Sequence, residues 1–180
     1  MVYCFLADGF EEVEAIAPID MLRRAGIEVL TVGVTGEFAT GAHSIPVKAD
    51  IALKDVKLDD TLEAVILPGG LHGAINLENS EEVQRAIDFA TENGKYVCAI
   101  CAAPQILGHK GLLKDKEAIA YPGFEKELEG AVISDKHVVS DGKFITAKGA
   151  GVATEFGLEI VAKLKGDDVA QKIKSAIQMK

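Results

Sequence analysis

The sequence predicts an α/β fold of the doubly wound kind, a mostly parallel sheet with helices on both faces. Three observations predict it. The short runs "VYCFLA", "EVLTVGV", "AVILPGG" and "KYVCAI" are apolar throughout rather than alternating, as strands buried on both faces are. Segments of helical periodicity separate these runs, so strand and helix alternate along the chain. The length, 180 residues with 48% hydrophobic and 26% charged, suits one domain, residues 1–180, that buries its own core without metal or disulfide. No repeat, linker or low-complexity tract interrupts it.

Residues 2–7 form the first strand. "DGFEEVEAIAPIDMLRRAG" follows with helical spacing up to Gly26. Asp8 and Glu11 have the spacing of a capping box, and Pro18 demands either a kink or a start later than that cap. "EVLTVGV" (28–34) and "AVILPGG" (64–70) are the next strands, the second broken by Pro68-Gly69-Gly70. "SEEVQRAIDFATENG" (80–94) is amphipathic, with Ser80 as N-cap and Gly94 just past its end. "KYVCAI" (95–100) is a strand and "AAPQILGHKG" (102–111) a short helix. "HVVSDGKFITA" (137–147) reads as a hairpin about Asp141-Gly142. Residues 151–166 and 167–180 are two final helices. In such sheets, sites form beyond the C-terminal ends of the strands. That brings together three loops: Asp8–Glu14, Pro68–Gly73 and Cys101–Pro104.

The net charge is −9 and no block of Lys and Arg occurs, which argues against nucleic acid and anionic membrane surfaces as partners. No apolar run approaches the ~18–20 residues that span a bilayer. The start "MVYCFLADGF" has no basic segment and too short an apolar stretch for a signal peptide. Three cysteines, an odd and low number, read as free thiols in a reducing cytoplasm.

Two of those cysteines stand three apart in "KYVCAICAAPQILG". With Cys98 inside a strand, three extended residues separate the pair by roughly 10 Å, and a disulfide needs Cα atoms about 4.4–6.8 Å apart. Cys98 is then a small buried hydrophobe. A zinc site would need further ligands at known spacings, and no second CxxC or HxxxH appears. No metal is expected. Cys101 falls at a strand-to-helix corner, where Ala102 and Ala103 permit a tight turn and Pro104 suits the first helical turn. Such a corner lifts a thiol above the sheet edge at a helix N-terminus. The local pattern fits a reactive thiol and a buried structural cysteine equally. Glu11, Glu12 and Glu14 crowd the first turn after strand one. Dipole-compensating surface positions account for two of them, and a third turned into the cleft is protonated or paired.

Four motifs in order, "GFEEVEAIAPIDMLRRAG", "AVILPGG", "AICAAP" and "TAKGAGVATEFGLEIV", make residues 2–166 resemble the ThiJ/PfpI superfamily, in the branch of the Parkinson-associated protein DJ-one and its bacterial relatives. The resemblance implies a flavodoxin-like three-layer sandwich, shared with class I glutamine amidotransferases. It implies that Cys101 is the reactive cysteine and that Glu14 hydrogen-bonds its sulfur. It places the backbone N–H groups of Gly70 and Ala102 at the sulfur or a bound oxyanion, with Gly69, Gly149, His72 and Tyr121 as further site-lining positions. It implies a homodimer, no cofactor, and conversion of glyoxal or methylglyoxal to hydroxy acids, deglycase-like repair, or redox sensing through a cysteine sulfinate.

The chain also departs from that pattern. Ala102 replaces the histidine that follows the cysteine in the protease-like branch, which argues against a Cys-His peptidase. Tyr121 replaces a proton-shuttling histidine, Ala150 a proline and His43 an arginine. Leu71 and His72 follow the double glycine. His109 and His137 read as solvated loop residues, and His43 as a surface or subunit-contact residue. A protonated Glu14 is expected to lower the thiol pKa of Cys101, and Glu11 and Glu12 are expected to be solvated.

Overall fold

A computed structural model describes residues 1–179. Its element order is β1 (Val2–Leu6), α1 (Glu12–Arg24), β2 (Val29–Gly33), β3 (Phe38–Thr40), β4 (Pro46–Lys48), β5 (Ile51–Ala52), β6 (Ala64–Leu67), α2 (Leu71–Glu78), α3 (Glu81–Glu92), β7 (Tyr96–Ile100), α4 (Pro104–His109), β8 (Glu117–Ala118), β9 (Val132–Ile133), β10 (Val138–Asp141), β11 (Phe144–Ala147), α5 (Ala153–Lys165) and α6 (Asp167–Ala176). Seven strands form one sheet in the order β10-β11-β7-β6-β1-β2-β5. Every neighbouring pair is parallel except β10–β11. This is the α/β sandwich that the apolar strand runs predict.

Alternation along the central strands sorts side chains to two faces. Val2, Cys4, Leu6, Ile66 and Cys98 pack with Leu22, Phe156 and Ile160 of α1 and α5. Tyr3, Phe5, Val65, Leu67 and Val97 pack with Leu77, Ile87 and Ile106 of α2, α3 and α4. Fully burying one such side chain contributes about 1.5–3 kcal/mol, so the two cores outweigh any single surface ion pair. Helices α1 and α5 lie close because Gly157 faces Pro18: a Cβ on Gly157 would lie 2.7 Å from the Pro18 Cα.

Several boundaries differ from the sequence reading. Helix α1 starts at Glu12, not at Asp8, and Glu11 caps it without a side-chain bond. The Asp8 carboxylate instead accepts from the Thr40 N–H at 2.7 Å, so the Asp8–Glu11 box does not form. Pro18 lies inside the helix. Ser80 caps α3 through the Val83 N–H, as expected. The hairpin turns on Gly142 and Lys143, since Asp141 pairs with Phe144. The loop after Gly70 is a helix, α2, and the β3–β4 hairpin was not anticipated. Helix α6 buries Ala170 and Ile173 in the same core as α5; Lys180 of the predicted last helix lies outside the described residues. No helix among the described residues is long and apolar enough to cross a membrane.

Candidate active site

Four strand ends converge at the C-terminal edge of the sheet. The Glu11 N–H donates to Gly69 O at 3.0 Å, and the Cys101 N–H to Ala147 O at 2.9 Å. These bonds bring the β1, β6, β7 and β11 loops together, as the doubly wound topology requires.

Cys101 follows β7 with φ 65°, a left-handed conformation in a residue other than glycine. Such a conformation costs about 1–3 kcal/mol and persists where neighbours hold it. Its N–H is held by Ala147, and its carbonyl accepts from the Tyr121 N–H at 2.9 Å. Ala102 and Ala103 are buried, and Pro104 opens α4. The corner is the tight elbow that the small residues predict. Cys98 sits one face away, fully buried in β7 between Ile66 and Ile145.

Glu14, in the first turn of α1, is 1% exposed. Its Oε2 accepts from the Gly69 N–H at 3.0 Å, and the Cys101 side chain and the Ala150 N–H lie near enough to its carboxyl to act on its pKa. The N–H groups of Gly70 and Ala102 lie on the side of the Cys101 sulfur and favour its thiolate. The double glycine is obligatory here. A Cβ on Gly69 would lie 2.5 Å from Glu14 Oε2 and 2.6 Å from Cys101 Cβ, and Gly70, at φ 83°, would drive a Cβ to 2.3 Å from Gly9 O. The sheet edge therefore assembles Cys101, Glu14, Gly69, Gly70 and Ala102 in one place.

Burial raises the Glu14 pKa to about 7, against the hydrogen bonds from Cys101, Gly69 and Ala150 and with a smaller push from the charge of Glu11. Burial, then the charge of Glu14 and its hydrogen bond, push the Cys101 thiol up to about 12, against the N–H groups of Gly70 and Ala102. The expectation of a lowered thiol pKa is thus corrected. The thiol is largely buried, and an ionised Glu14 beside the sulfur penalises a second negative charge. Below about pH 7 the pair is carboxyl plus thiol, and on raising the pH Glu14 ionises before the thiol.

The other candidates fall in different places. Glu12 is buried, not solvated as expected. It accepts from the His43 N–H at 2.8 Å and lies 2.9 Å from the His43 ring Nδ1, clamping the β3–β4 hairpin to α1. Glu11 is partly buried and also faces that ring, at 3.6 Å. Glu11, Glu12 and His43 gather three potential donor atoms within 4.8 Å of one another, but Glu12 is already engaged by the His43 backbone and ring. His43 is exposed. His109 is no free loop residue: its two ring nitrogens face Glu78 and Glu127. His72 is exposed in the first turn of α2, its Cβ against Gly9. Tyr121 is half exposed, and a Cβ on Gly149 would lie 3.3 Å from its ring and 3.9 Å from Glu14 Oε1. The nearness of the Ala150 N–H to Glu14 has no sequence signal, because any residue other than proline supplies a backbone donor.

An α/β sandwich with an elbow cysteine and a buried carboxyl partner defines a class, and the comparisons place the chain in it. The chain belongs to the DJ-1/PfpI family, whose profile matches residues 1–163. It is 36% identical to Protein dj-1beta of Drosophila melanogaster over 171 residues, which cover 93% of this chain and 91% of that protein. It is 36% identical over 163 residues to the glutathione-independent glyoxalase DJR-1.2 of Caenorhabditis elegans, covering 88% of this chain and 84% of that protein. The crystal structure of Drosophila melanogaster DJ-1beta superposes with a TM-score of 0.94 at 34% identity, covering 99% of this chain and 97% of that one.

Proposed function

We propose that this protein is a cysteine-dependent stress-response enzyme that converts glyoxal and methylglyoxal to hydroxy acids without an external cofactor, with deglycase-like action on the same carbonyl chemistry. It acts as a single domain that forms a homodimer in the cytoplasm. One observation carries the reading: the buried Glu14 carboxyl, held by the Gly69 N–H, stands beside the Cys101 side chain at the elbow, each shifting the other's pKa. The Caenorhabditis elegans relative named a glyoxalase supports it.

The thiol of Cys101 adds to the aldehyde carbon. The S–C bond forms as ionised Glu14 takes the thiol proton, and the carbonyl electron pair moves onto oxygen. The N–H groups of Gly70 and Ala102 stabilise that oxyanion, and the proton passes from Glu14 to it, giving a hemithioacetal. Glu14 then takes a proton from the former aldehyde carbon, leaving an enediol, exchanges it with solvent and protonates the neighbouring carbon, while the hydroxyl proton of the first carbon passes to the oxygen of the second. The first carbon is oxidised to a thioester and the second reduced to an alcohol. Water cleaves the thioester, restoring the thiol; the net uptake is one water. A carboxyl with a pKa near 7 suits both directions of this transfer.

Turnover of methylglyoxal in D₂O, followed by NMR of lactate, tests the scheme. Wild type should form lactate carrying deuterium at the new C–H. Cys101→Ser should form none, and Glu14→Gln should lose roughly 10²–10⁴-fold. The wild-type kcat/KM should rise with pH through about 7, as Glu14 becomes a base. Absence of lactate with wild type, or full activity in Glu14→Gln, overturns it.

The same pairing favours a second reading, a redox sensor with little turnover. A sulfinate on Cys101 would accept hydrogen bonds from protonated Glu14 and from the N–H groups of Gly70 and Ala102. Mass spectrometry after mild peroxide, beside the turnover assay, separates the two: stoichiometric sulfinate on Cys101 without lactate formation selects the sensor.

A further inference from the structure

A cavity of about 360 Å³ adjoins the Cys101–Glu14 corner, with Tyr121, Pro122, His137, Lys148, Gly149 and Val152 in its walls. It shares residues with the corner itself. Gly149 separates the Tyr121 ring from Glu14 Oε1, a Cβ there lying 3.3 and 3.9 Å from the two. The next residue, Ala150, also lines the cavity, and its N–H lies near enough to Glu14 to act on the carboxyl. Tyr121 is held to Cys101 by its backbone. A substrate bonded to the sulfur therefore has this space beside it.

The volume falls at the lower end of small-molecule sites. Methylglyoxal, with one methyl group beyond its two carbonyls, leaves most of it unfilled. The Tyr121 ring, Pro122 and Val152 supply apolar walls. Two basic side chains complete them. The Lys148 N–H donates to His137 O at 2.9 Å, which extends the β10–β11 pairing one step beyond Val138 and Ala147. Residues opposite each other in a ladder project to the same face, so the two basic groups stand together. Among the described residues Lys148 forms no ion pair within 4.0 Å, in a chain of net charge −9.

We propose that this cavity is a substituent subsite, and that the substrates of the Cys101–Glu14 corner are α-oxoaldehydes whose second substituent is an apolar group ending in a carboxylate. The apolar part lies on Tyr121 and Val152, and the carboxylate meets Lys148 and His137. The inference rests on the dicarbonyl reading of the corner and specifies its substrate class. The reaction is unchanged: 4-carboxyphenylglyoxal plus water gives 4-carboxymandelate, with the same proton transfer between adjacent carbons.

Two measurements test it. The first compares kcat/KM for 4-carboxyphenylglyoxal and phenylglyoxal. Wild type should favour the carboxylate, and Lys148→Met should cut that ratio roughly tenfold through KM, the worth of one charge-assisted hydrogen bond. The second needs no chemistry: calorimetric binding of 4-carboxymandelate and mandelate to the Cys101→Ser protein. The carboxylate-bearing acid should bind more tightly, and Lys148→Met introduced into that protein should erase the difference. Equal affinity for the two acids, or a preference that survives both Lys148→Met and His137→Gln, overturns the subsite. A binding preference that depends on Lys148, with no turnover of any oxoaldehyde, sustains the subsite and overturns the dicarbonyl reading alone.

Discussion

Glu14 is a carboxyl group that water barely reaches, and its proton should register in stability as well as in rate. Its ordinary pKa of 4.5 rises to about 7 in the folded protein. Between those values the native state keeps a proton that the unfolded chain has released. Stability therefore falls as pH rises from 4.5 to 7. A shift of that size is worth up to about 3 kcal/mol. Glu14→Gln removes the titration, so urea denaturation should find it more stable relative to wild type at pH 8 than at pH 5. Parallel pH profiles for the two proteins would sink the assignment. The three thiols should also separate. Cys4 and Cys98 are fully buried and their pKa values are raised by that burial, whereas Cys101 is partly accessible. A bulky maleimide should label Cys101 long before the other two, and equal rates would contradict the elbow. Among the glutamates, spacing shows three carboxyls in one turn, but which of them leaves solvent depends on what covers each.

Glu12 illustrates that point at the scale of elements. It is covered by the β3–β4 hairpin, a segment whose short strands carry little apolar pattern. Glu12→Ala removes the acceptor for the His43 N–H and ring and should cost about 1–3 kcal/mol. Amide exchange should accelerate in residues 41–45, and unchanged protection there would refute the clamp. The second tie between elements is His109, at the end of α4. Its pKa is raised by hydrogen bonds to Glu78 first and Glu127 second, with burial opposing. A raised histidine pKa stabilises the fold fully below its ordinary 6.5, and the contribution fades as pH climbs through the folded value. The loss of melting temperature in His109→Leu should therefore be larger at pH 6 than at pH 8.5, and a deficit independent of pH would dismiss the ionic clamp. Both ties are long-range, Glu12 to His43 and His109 to Glu78, so neither shows in local spacing.

For the whole molecule, the exposed apolar side chains gather on particular elements. Val13 and Ile16 share a face of α1, and Phe38 and Ile45 stand on the hairpin that Glu12 clamps beside it. Such a patch is ordinarily covered by a partner, and a second copy of this chain is the partner that the resemblance implies. Sedimentation at micromolar concentration should give twice 19.1 kDa, and Ile16→Asp should shift it toward one copy. A wild-type species at 19.1 kDa would remove the homodimer.

What could be read from the chain alone follows from period and composition. Continuous Val, Ile and Leu strands between amphipathic helices specify a sheet covered on both faces, because apolar residues must leave water on both sides. Cys101, between an apolar run and Ala102-Ala103-Pro104, marks a strand-to-helix corner for the same local reasons. Its chemical state is another matter. A thiol pKa of about 12 beside a carboxyl of about 7 depends on burial and on charges brought from β1, β6 and β11 loops far away in sequence. The Gly69 N–H on Glu14, the hairpin over Glu12, the helix after Gly70 and the cavity beside Gly149 likewise arise from contacts between segments. Local pattern encodes which residues seek the interior; electrostatics in that interior depends on distances that exist only once the strands have stacked.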